Sequence, residues 1–541
     1  MRVGIGQINP CVGDIGGNTE TILELIAEGR KEGCELVVFP ELAIPGYIPL
    51  DIVWRPGFVA SCEEAIERIR SATEGIAVIL GSIGSGPRTE AANRFDLSSL
   101  SDGGGGTLYN IAYLIEDGKI KGRFEKMHIP SYDVYNEKRY FTPGPGTGVE
   151  EIGGIRLGIN VCEDIWVDGG PTEVQASLGA EWIVNISASP FYRGKPGIRR
   201  RLASERAREN DVGIIYVNLV GGQDEIVFDG GSFVVDREGR LLFQGPRFEE
   251  GLFTFDLESL RPIEGEEEVE IGQIEGAIVT GIRDYLRKNG FSRAIVGLSG
   301  GIDSALVACL AAAAIGAEGV TGVFLRSEFS SEESREDAEE IARRLGIDYI
   351  EIPIEGIHRE TRAALPMPAE GIVDENLQPR IRATILMAFA NAKGAIVLSC
   401  GNKSEIAVGY NTLYGDTVGG LAPIADLYKE DVYLLAERFK ERIPPRVFEK
   451  PPSAELRADQ RDEDDLPPYD LLDPLLRALI EENASREGLV SRGFDPELVD
   501  RALRLYYRSE YKRRQLPPGI KVSPKAFGIG RAVPITDRYR E

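Results

Sequence analysis

The second half of the chain alternates short apolar strands with helices, and this alternation is the pattern that most restricts its fold. After residue 293 the order is AIVGL, the helix SGGIDSALVACLAAAAIG, VTGVFLR, the helix SREDAEEIARRLG, YIEIPI and AIVLS. Strands that are each followed by a helix form a parallel sheet with helices on its faces. We therefore predict a doubly wound α/β sheet, which binds ligands at the carboxyl ends of its strands.

The first 255 residues have a different rhythm, with many strand patterns and few helices. Strands are predicted at RVGIGQIN, ELVVFPEL, IAVILGSIG, LYNIAYLIE, IRLGINV, EWIVNISA, GIIYVNLV, GSFVVD, RLLFQG and LFTFDL. The stretch 257–271 is acidic and carries the Pro and Gly of a connector. We predict a domain at 1–256, an acidic linker at 257–271 and a second domain at 272–541, with a surface loop at 86–106.

Length and composition limit what else the chain can be. A length of 541 residues exceeds what one hydrophobic core serves, and 42% apolar residues suffice for two or three domains. The six cysteines are far apart and form no C-x-x-C pair, which argues against a disulfide framework or a structural zinc site. MRVGIGQIN enters a strand pattern directly, and the longest apolar run, ALVACLAAAAIGA, is too short to span a bilayer. We expect a cytoplasmic protein with no membrane partner.

The net charge of -25 argues against nucleic acid as a partner, because affinity there rests on Lys and Arg that neutralise phosphates. The charge is uneven, since residues 501–531 carry nine Lys or Arg against the single acidic residue Glu510. Composition alone favours a solvated helix face followed by a basic tail. A contact with a small phosphorylated ligand is the alternative.

The turn GLSGGIDS at 297–304 is the sharpest motif of the second half. It follows an apolar strand and opens an alanine-rich helix, so its backbone N–H groups form an anion site. It lacks the G-K-[ST] of the common phosphate loop. Ser299 and Ser304 offer hydroxyls, and Asp303 offers a carboxylate for Mg²⁺. This arrangement suits a pyrophosphate that leaves when ATP donates AMP.

The first half delivers a cysteine, Cys162, from the apolar run of GINVCEDIW into a pair of carboxylates. A nucleophilic cysteine usually has a histidine partner, but the chain holds only His128 and His358. A buried small hydrophobe is the ordinary alternative for a cysteine. Another base is therefore needed if Cys162 is a nucleophile.

The chain resembles the glutamine-dependent NAD synthetases, in which a nitrilase-like amidase precedes a synthetase domain. The second half carries the resemblance in GLSGGIDS, ENLQPRIRATILM, GNKSEIAVGYNTLYGDTVGGLAPIADLYK and YKRRQLPPGIKVSPKAFG. The first half carries it in FPELAIPGY, EKMHIPSYDVYNEKRYF and GINVCEDIW. The resemblance implies an N-terminal nitrilase-like α-β-β-α sandwich. It also implies a Rossmann-like synthetase domain of the adenine nucleotide alpha hydrolase type.

The resemblance also supplies partners for the cysteine. It implies that Glu41 is the general base, that Lys126 stabilises the oxyanion and that the Cys162 thiolate attacks the carboxamide of glutamine. A lysine near the thiol lowers its pKa, whereas a carboxylate raises it. Glu137 matches the second glutamate that supports the lysine, and we assign both histidines to structure. The positions that match glutamine contacts are Tyr132, Ser189 and Lys195.

For the second site the resemblance implies that ATP adenylates the nicotinate carboxylate of deamido-NAD. Ammonia then displaces AMP, which leaves NAD. The implied ATP-binding residues are Gly297, Leu298, Ser299, Gly300, Gly301, Ile302, Asp303, Ser304 and Cys400. Asn376, Glu405 and Lys512 match deamido-NAD contacts, and Asp303 and Glu405 are the implied Mg²⁺ ligands. Lys512 lies in the basic segment, which weighs against its interpretation as a solvated tail.

Two positions depart from the family pattern. Cys400 replaces a threonine before GNKSE, which exchanges a hydroxyl for a weaker hydrogen-bonding thiol. Arg326 replaces a proline in LRS at 325–327, next to Ser327, where the resemblance implies nucleotide contacts. The fusion predicts an enclosed passage for ammonia, and both parent folds predict a homo-oligomer.

Two other functions compete with this interpretation. One is a different amidotransferase of the ATP-pyrophosphatase type, fed by the same amidase. SGGIDS alone permits it, whereas ENLQPRIR and GNKSE argue against it. The other is a nucleotide-sensing protein with a relic amidase, which the intact Glu41, Lys126, Cys162 and Asp303 oppose.

Overall fold

The computed structural model describes residues 1–86, 107–264, 270–458 and 460–539. The chain divides into two compact units, Met1–Gln223 with Val227–Glu268, and Asp224–Ile226 with Val269–Glu541. Nearly all of the loop predicted at 86–106 lies outside the described residues. Within the described ranges, no helix is both long and apolar enough to cross a membrane.

Two six-stranded sheets form the first unit. The strands are β1 (Arg2–Gln7), β2 (Leu36–Val38), β3 (Ala77–Gly86), β4 (Thr107–Glu116), β5 (Lys119–Glu125), β6 (Val149–Ile152), β7 (Ile155–Val161), β8 (Trp182–Ser187), β9 (Gly213–Asn218), β10 (Val220–Gln223), β11 (Ile226–Asp229), β12 (Phe233–Val235), β13 (Leu241–Gln244) and β14 (Gly251–Asp256). One six-stranded sheet has the order β14-β1-β2-β3-β4-β5 and the other β13-β12-β9-β8-β7-β6, and β10 and β11 form a separate two-stranded sheet. A core of Val, Ile and Leu side chains from both sheets fills the space between them.

Helices complete this unit on the outer sides of the sheets. They are α1 (Ile15–Lys31), α2 (Phe58–Arg70), α3 (Pro171–Ser177) and α4 (Lys195–Asn210). Helices α1 and α2 pack on the first sheet, and α3 and α4 pack on the second. The Asp14 carboxylate caps α1 by accepting from Gly17 N. The α-β-β-α layering of the nitrilase-like prediction is confirmed.

The predicted first-half strands are present, but two charged strands were not predicted. Strand β5 has the sequence KIKGRFE and β6 has VEEI, and most of their side chains are exposed or half-buried. A two-residue turn at Asp117 and Gly118, both with positive φ, pairs β5 with β4. Both strands lie at sheet edges, where one side of the strand has no partner strand and charged side chains are common. Charged residues and glycine, which are depleted in strands, make up at least half of each sequence, so neither was predicted as a strand.

The second unit is built on a parallel four-stranded sheet. Its strands are β15 (Ala294–Gly297), β16 (Val320–Arg326), β17 (Asp348–Pro353) and β18 (Ile396–Leu398), in the order β17-β16-β15-β18. The chain moves outward from β15 to β17 and then returns to the other side of β15, which makes a switch point between β15 and β18. The doubly wound prediction is confirmed.

Thirteen helices of the described residues belong to this unit. They are α5 (Glu270–Lys288), α6 (Ile302–Ile315), α7 (Glu332–Leu345), α8 (Glu355–Ala364), α9 (Ile372–Lys393), α10 (Lys403–Val408), α11 (Lys429–Ala436), α12 (Pro445–Glu449), α13 (Asp462–Asp465), α14 (Tyr469–Glu481), α15 (Arg486–Ser491), α16 (Pro496–Arg508) and α17 (Glu510–Arg513). The apolar core of the sheet includes side chains of β15, β16, β18 and α9. A separate helical core joins α10, α14, α15 and α16.

Candidate active sites

A buried cluster of charges lies at the carboxyl ends of strands in the first unit. Glu41 follows β2, Lys126 follows β5, and Glu137 begins a short 3-10 turn. The Lys126 ammonium donates to Glu41 Oε1 at 2.7 Å and to both oxygens of Glu137 at 2.9 Å. All three side chains are fully buried. Burial alone would lower the pKa of Lys126, but Glu137 and Glu41 raise it well above its ordinary value. The lysine is therefore a permanent cation between two carboxylates.

Cys162 lies beside this cluster on a sharp turn after β7. Its φ of 46° is left-handed, and a 3-10 turn at Cys162–Ile165 follows directly. Burial, reinforced by Glu41, raises the pKa of the thiol well above its ordinary value, and the opposing effect of Lys126 does not cancel this. The resting group is therefore a thiol that needs a base. Among the groups acting on it, the carboxylate of Glu41 has the strongest effect.

The predicted glutamine-binding residues lie on segments around the thiol. The Tyr132 hydroxyl donates to both Glu163 oxygens at 2.9 and 3.0 Å. Lys195 Nζ lies 4.0 Å from the centre of the Trp166 ring. Burial and Arg199 lower the pKa of Lys195 to about 8, and Cys162 and Glu163 act on it in the opposite direction. This arrangement places an ammonium and a carboxylate, Lys195 and Glu163, within electrostatic range of each other and of the thiol.

Ser189 is buried, and its backbone is held on both sides. Its N–H donates to Asn218 Oδ1 at 2.9 Å, and its carbonyl accepts from Arg199 Nη1 at 3.2 Å. Ser189 follows β8, and the preceding residue, Ala188, donates its N–H to Glu41 Oε2 at 2.8 Å. The segment after β8 is therefore tied to the carboxylate of the charge cluster.

Both histidines have carboxylate partners outside the charge cluster. His128 Nδ1 lies 3.2 Å from Asp164 Oδ1, and this hydrogen bond raises the pKa of the ring. The same carboxylate accepts from the N–H groups of Met127 and Val161, at 3.1 Å each. Asp164 thus ties the loop after Lys126 to the strand before Cys162. His358 Nε2 lies 2.9 Å from Asp374 in the second unit.

The turn predicted to bind ATP opens into a cavity of about 310 Å³ at the switch point of the parallel sheet. Of the predicted ATP-binding residues, all but Gly300 line it. Ser304 Oγ accepts from Ser299 N at 3.1 Å and so closes the turn at the start of α6. Gly300 has a φ of +79°, and a Cβ there would lie 2.3 Å from Ser334 O. The backbone at this position therefore requires glycine.

A lysine that was not predicted joins the two proposed metal ligands. Lys429 Nζ, at the start of α11, lies 2.6 Å from Asp303 Oδ2 and 3.5 Å from Glu405 Oε1. Burial raises the pKa of Glu405 to about 8, with Lys429 opposing the rise and Asp303 adding to it. Asn402 Nδ2 donates to the other Asp303 oxygen at 2.9 Å. Asp303 and Glu405 therefore lie next to the same lysine in the wall of the cavity.

Within the ranges that the structure describes, no group of three or more His, Cys, Asp or Glu side chains is arranged to hold a metal. Magnesium at nucleotide sites is commonly held by one or two carboxylates together with phosphates. Asp303 and Glu405 are oxygen donors of that kind, and both line the cavity. The residues present fit Mg²⁺.

The other predicted nucleotide contacts, Asn376 and Lys512, form hydrogen bonds to the same loop. The Thr412 hydroxyl donates to Asn376 Oδ1 at 2.6 Å, and Lys512 Nζ donates to Asn411 O at 2.6 Å. Asn376 and Lys512 do not line the cavity, but Asp416 of the same loop does. Asp416 accepts from Thr412 N at 2.7 Å. The structure thus brings Asn376 and Lys512 together beside the cavity and Glu405 into it.

The two departures from the family pattern have different surroundings. Arg326 pairs with Glu351 at 3.3 Å and with Glu355 at 3.7 Å. Ser327 is buried, and its hydroxyl accepts from Arg382 Nη2 at 3.1 Å. Cys400 lines the cavity, and burial raises the pKa of its thiol. Cys400 therefore lines the cavity as a neutral thiol, and Arg326 forms ion pairs with two glutamates.

Three site residues escaped the sequence analysis. Lys429 contacts both proposed metal ligands, Glu163 accepts from Tyr132, and Asn110 donates to Glu41 at 2.7 Å. A signal existed for two of them, because Glu163 adjoins Cys162 and Lys429 ends the segment that begins at GNKSE. Asn110 lies inside an apolar strand pattern, where nothing distinguishes it from a packed polar residue.

Comparisons with known proteins cover both halves of the chain. Residues 2–262 match the carbon-nitrogen hydrolase family model, and residues 274–517 match the NAD synthase family model. The whole chain is 40% identical to the glutamine-dependent NAD(+) synthetase of Thermotoga maritima and 42% identical to that of Xylella fastidiosa, covering 99% of each. A solved structure of glutamine-dependent NAD+ synthetase from Acinetobacter baumannii in complex with ADP has a TM-score of 0.77 and 36% identity, over 99% of this chain and 98% of that one.

Proposed function

Because the chain belongs to the glutamine-dependent NAD+ synthetases, we propose that it makes NAD from deamido-NAD with ATP and with ammonia released from glutamine. The first unit is proposed as the glutaminase and the second as the synthetase. The predicted boundary at 257–271 is retained in this proposal. The single observation that carries it is the joint presence, in one chain, of a buried Glu–Lys–Cys cluster and a carboxylate-lined cavity at a phosphate-binding turn.

In the glutaminase, Glu41 takes the proton of the Cys162 thiol as its sulfur attacks the carboxamide carbon of glutamine. A C–S bond forms, and the carbonyl oxygen becomes an oxyanion that faces the ammonium of Lys126. The proton held by Glu41 passes to the leaving nitrogen, and ammonia departs. Water, deprotonated by Glu41, then hydrolyses the thioester to glutamate and the free thiol. Glu137 keeps Lys126 protonated and in place.

The residues around the thiol support the choice of glutamine as substrate. Lys195 can pair with the α-carboxylate of an amino acid, and Glu163, positioned by Tyr132, can pair with its α-ammonium. The pairing of opposite charges with both ends of a zwitterion selects a free amino acid over a simple amide. Ser189 lies on the segment tied to Glu41 and is proposed to contact the same substrate.

In the synthetase, the carboxylate of deamido-NAD attacks the α-phosphorus of ATP and displaces pyrophosphate into the 297–304 turn. Ammonia then attacks the acyl adenylate, AMP leaves, and NAD is formed. Asp303 and Glu405 would hold Mg²⁺, whose charge offsets that of the phosphates. Lys429 is proposed to contact the same phosphates, because it already lies between the two carboxylates. Asn376 and Lys512 are proposed to contact deamido-NAD.

One assay tests this proposal. The full chain is supplied with ATP, Mg²⁺, glutamine and deamido-NAD, and NAD, AMP, pyrophosphate and glutamate are measured together. We expect equal amounts of NAD, AMP and pyrophosphate. Formation of ADP would contradict the adenylation step. Product formation with another acid, and none with deamido-NAD, would favour a different amidotransferase of the same type. Nucleotide binding without turnover would favour a sensor.

A further inference from the structure

Asn110 contacts three members of the glutaminase cluster. It lies in β4 and is fully buried. Its Nδ2 lies 2.7 Å from Glu41 Oε1 and 3.4 Å from Glu137 Oε2. Its backbone carbonyl accepts from Lys126 N at 2.8 Å. A single residue therefore touches the base, the supporting glutamate and the backbone of the lysine.

The orientation of the Asn110 amide is determined by charge. With its NH₂ towards the carboxylates, it donates to both of them. The reverse orientation would place its carbonyl oxygen against two anions, which is repulsive. Its Oδ1 has no protein hydrogen-bond partner within the described ranges. The side chain thus leaves its acceptor unsatisfied in order to present its donors, and this points to a role for the donors.

The hydrogen bonds of Glu41 show what those donors do. A carboxylate offers about four lone-pair sites. Lys126 and Asn110 occupy the two on Oε1, and the Ala188 N–H occupies one on Oε2. The fourth is on Oε2 and is left to take the thiol proton. Two carboxylates share one ammonium here, and Asn110 adds a neutral donor to Glu41 Oε1.

We propose that Asn110 is a positioning residue of the glutaminase, which fixes the Glu41 carboxylate and directs its remaining lone pair to the proton of Cys162. This inference rests on the proposed glutaminase chemistry. Asn110 does not touch the substrate, so its contribution is to the chemical step and not to glutamine binding.

The test replaces Asn110 by Leu, which has a similar volume and no donors. We expect kcat for glutamine-dependent NAD synthesis to fall about 10- to 100-fold at pH 7.5, the effect of losing a hydrogen bond to a charged group. The KM for glutamine should stay within about twofold, because binding groups are untouched. The acid limb of the kcat/KM profile should move to higher pH, because a carboxylate without its donor ionises less readily.

Asn110→Asp is the second variant, since it keeps the shape of the side chain and replaces the donors by a third carboxylate. We expect a larger loss and a larger shift of the acid limb than for Asn110→Leu. Asn18→Leu is the matched control, because Asn18 is a buried amide of the same unit that donates to the carbonyls of Cys11 at 2.9 Å and Ile44 at 2.8 Å. It should change stability without moving the acid limb.

NAD synthesis from added ammonium shows that the synthetase unit of each variant is intact, because that reaction does not use Glu41. Thermal unfolding by circular dichroism shows that the first unit, which holds Asn110, is also folded. Asn110 would be an ordinary packed residue if Asn110→Leu kept glutamine-dependent kcat within about twofold. The same conclusion would follow if the loss of kcat did not depend on pH or equalled that of Asn18→Leu. Failure of the glutaminase proposal would look different, since the unsubstituted enzyme would then form no NAD from glutamine.

Discussion

Replacing Lys126 by Met removes the only ammonium in hydrogen-bond contact with Glu41 and Glu137 among the described residues, and leaves two carboxylates fully buried. Breaking a buried ion pair from one side costs about 3–5 kcal/mol of folding free energy. Protonating a glutamate at pH 7, from an ordinary pKa of about 4.3, costs about 3.7 kcal/mol. The variant can therefore avoid a buried unpaired charge at that cost for each carboxylate. We therefore expect the free energy of unfolding of the first unit to fall by about 4–7 kcal/mol at pH 7, which corresponds to a fall of about 8–28 °C in Tm.

The sign of the pH dependence follows from proton uptake. Burial already raises the pKa of Glu137 with Lys126 present, and without the lysine the folded state holds protons that the unfolded chain has released. The folded variant thus binds more protons than the unfolded state at any pH above the ordinary pKa of glutamate. Its stability falls as pH rises, by about 1.4 kcal/mol per pH unit for each proton held. The loss of stability relative to the unsubstituted protein should therefore be smallest near pH 5 and grow towards pH 8.

Thermal unfolding of the full chain by circular dichroism, between pH 5 and pH 8, measures both effects. Lys119→Met is the matched control, because Lys119 is exposed on the same β4–β5 hairpin and should change Tm by less than about 2 °C. Adding Glu137→Gln to Lys126→Met should recover about half of the loss. If Lys126→Met had the same Tm as the Lys119→Met control at every pH, the cluster would not hold two ionised carboxylates.

The remaining predictions concern activity and assembly. Cys162→Ala should abolish NAD synthesis from glutamine and keep synthesis from added ammonium near the normal rate; retained use of glutamine would exclude Cys162 as the nucleophile. Asp303→Asn should abolish NAD formation with either nitrogen donor while glutamine is still hydrolysed, and survival of NAD formation within a few-fold would remove Asp303 from the metal site. Because the pKa of Lys195 is about 8, the KM for glutamine should rise above that pH. Lys195→Arg should remove this rise, and an equal rise in both proteins would mean that glutamine itself titrates. We also expect a homo-oligomer, and light scattering that gives a mass near 59.2 kDa would contradict this.

The sequence predicted what local patterns determine. Apolar strands predicted most of the sheets, and the turn at 297–304 predicted the switch-point cavity, because strand, turn and helix are adjacent in the chain. Strand β5 was missed because four of its seven residues are charged and its central residue is glycine. Lys429 was missed for another reason, since it meets Asp303 across 126 positions of sequence and only the folded sheet brings them together. Asn110 and Glu41 are 69 positions apart and illustrate the same limit.

The roles of the site residues came from the resemblance, and physical chemistry refined them. A lysine beside Cys162 was expected to lower the pKa of the thiol, and it acts in that direction, but burial and Glu41 outweigh it. No pattern of residues indicates how deeply a thiol is buried. The balance between desolvation and neighbouring charge is a property of the folded site alone.

The left-handed backbone at Cys162 lowers the stability of the fold, whereas the cysteine side chain at that position is needed for turnover of glutamine. A non-glycine residue in this conformation costs on the order of 1–3 kcal/mol, which a glycine would not incur. A laboratory evolution experiment that selects only for heat resistance would therefore enrich Gly at position 162 and lose the glutaminase unnoticed wherever ammonium is supplied. Selection on glutamine as the sole nitrogen donor would hold the cysteine in place. The choice of nitrogen source in the growth medium thus decides whether a stabilised descendant of this chain remains bifunctional.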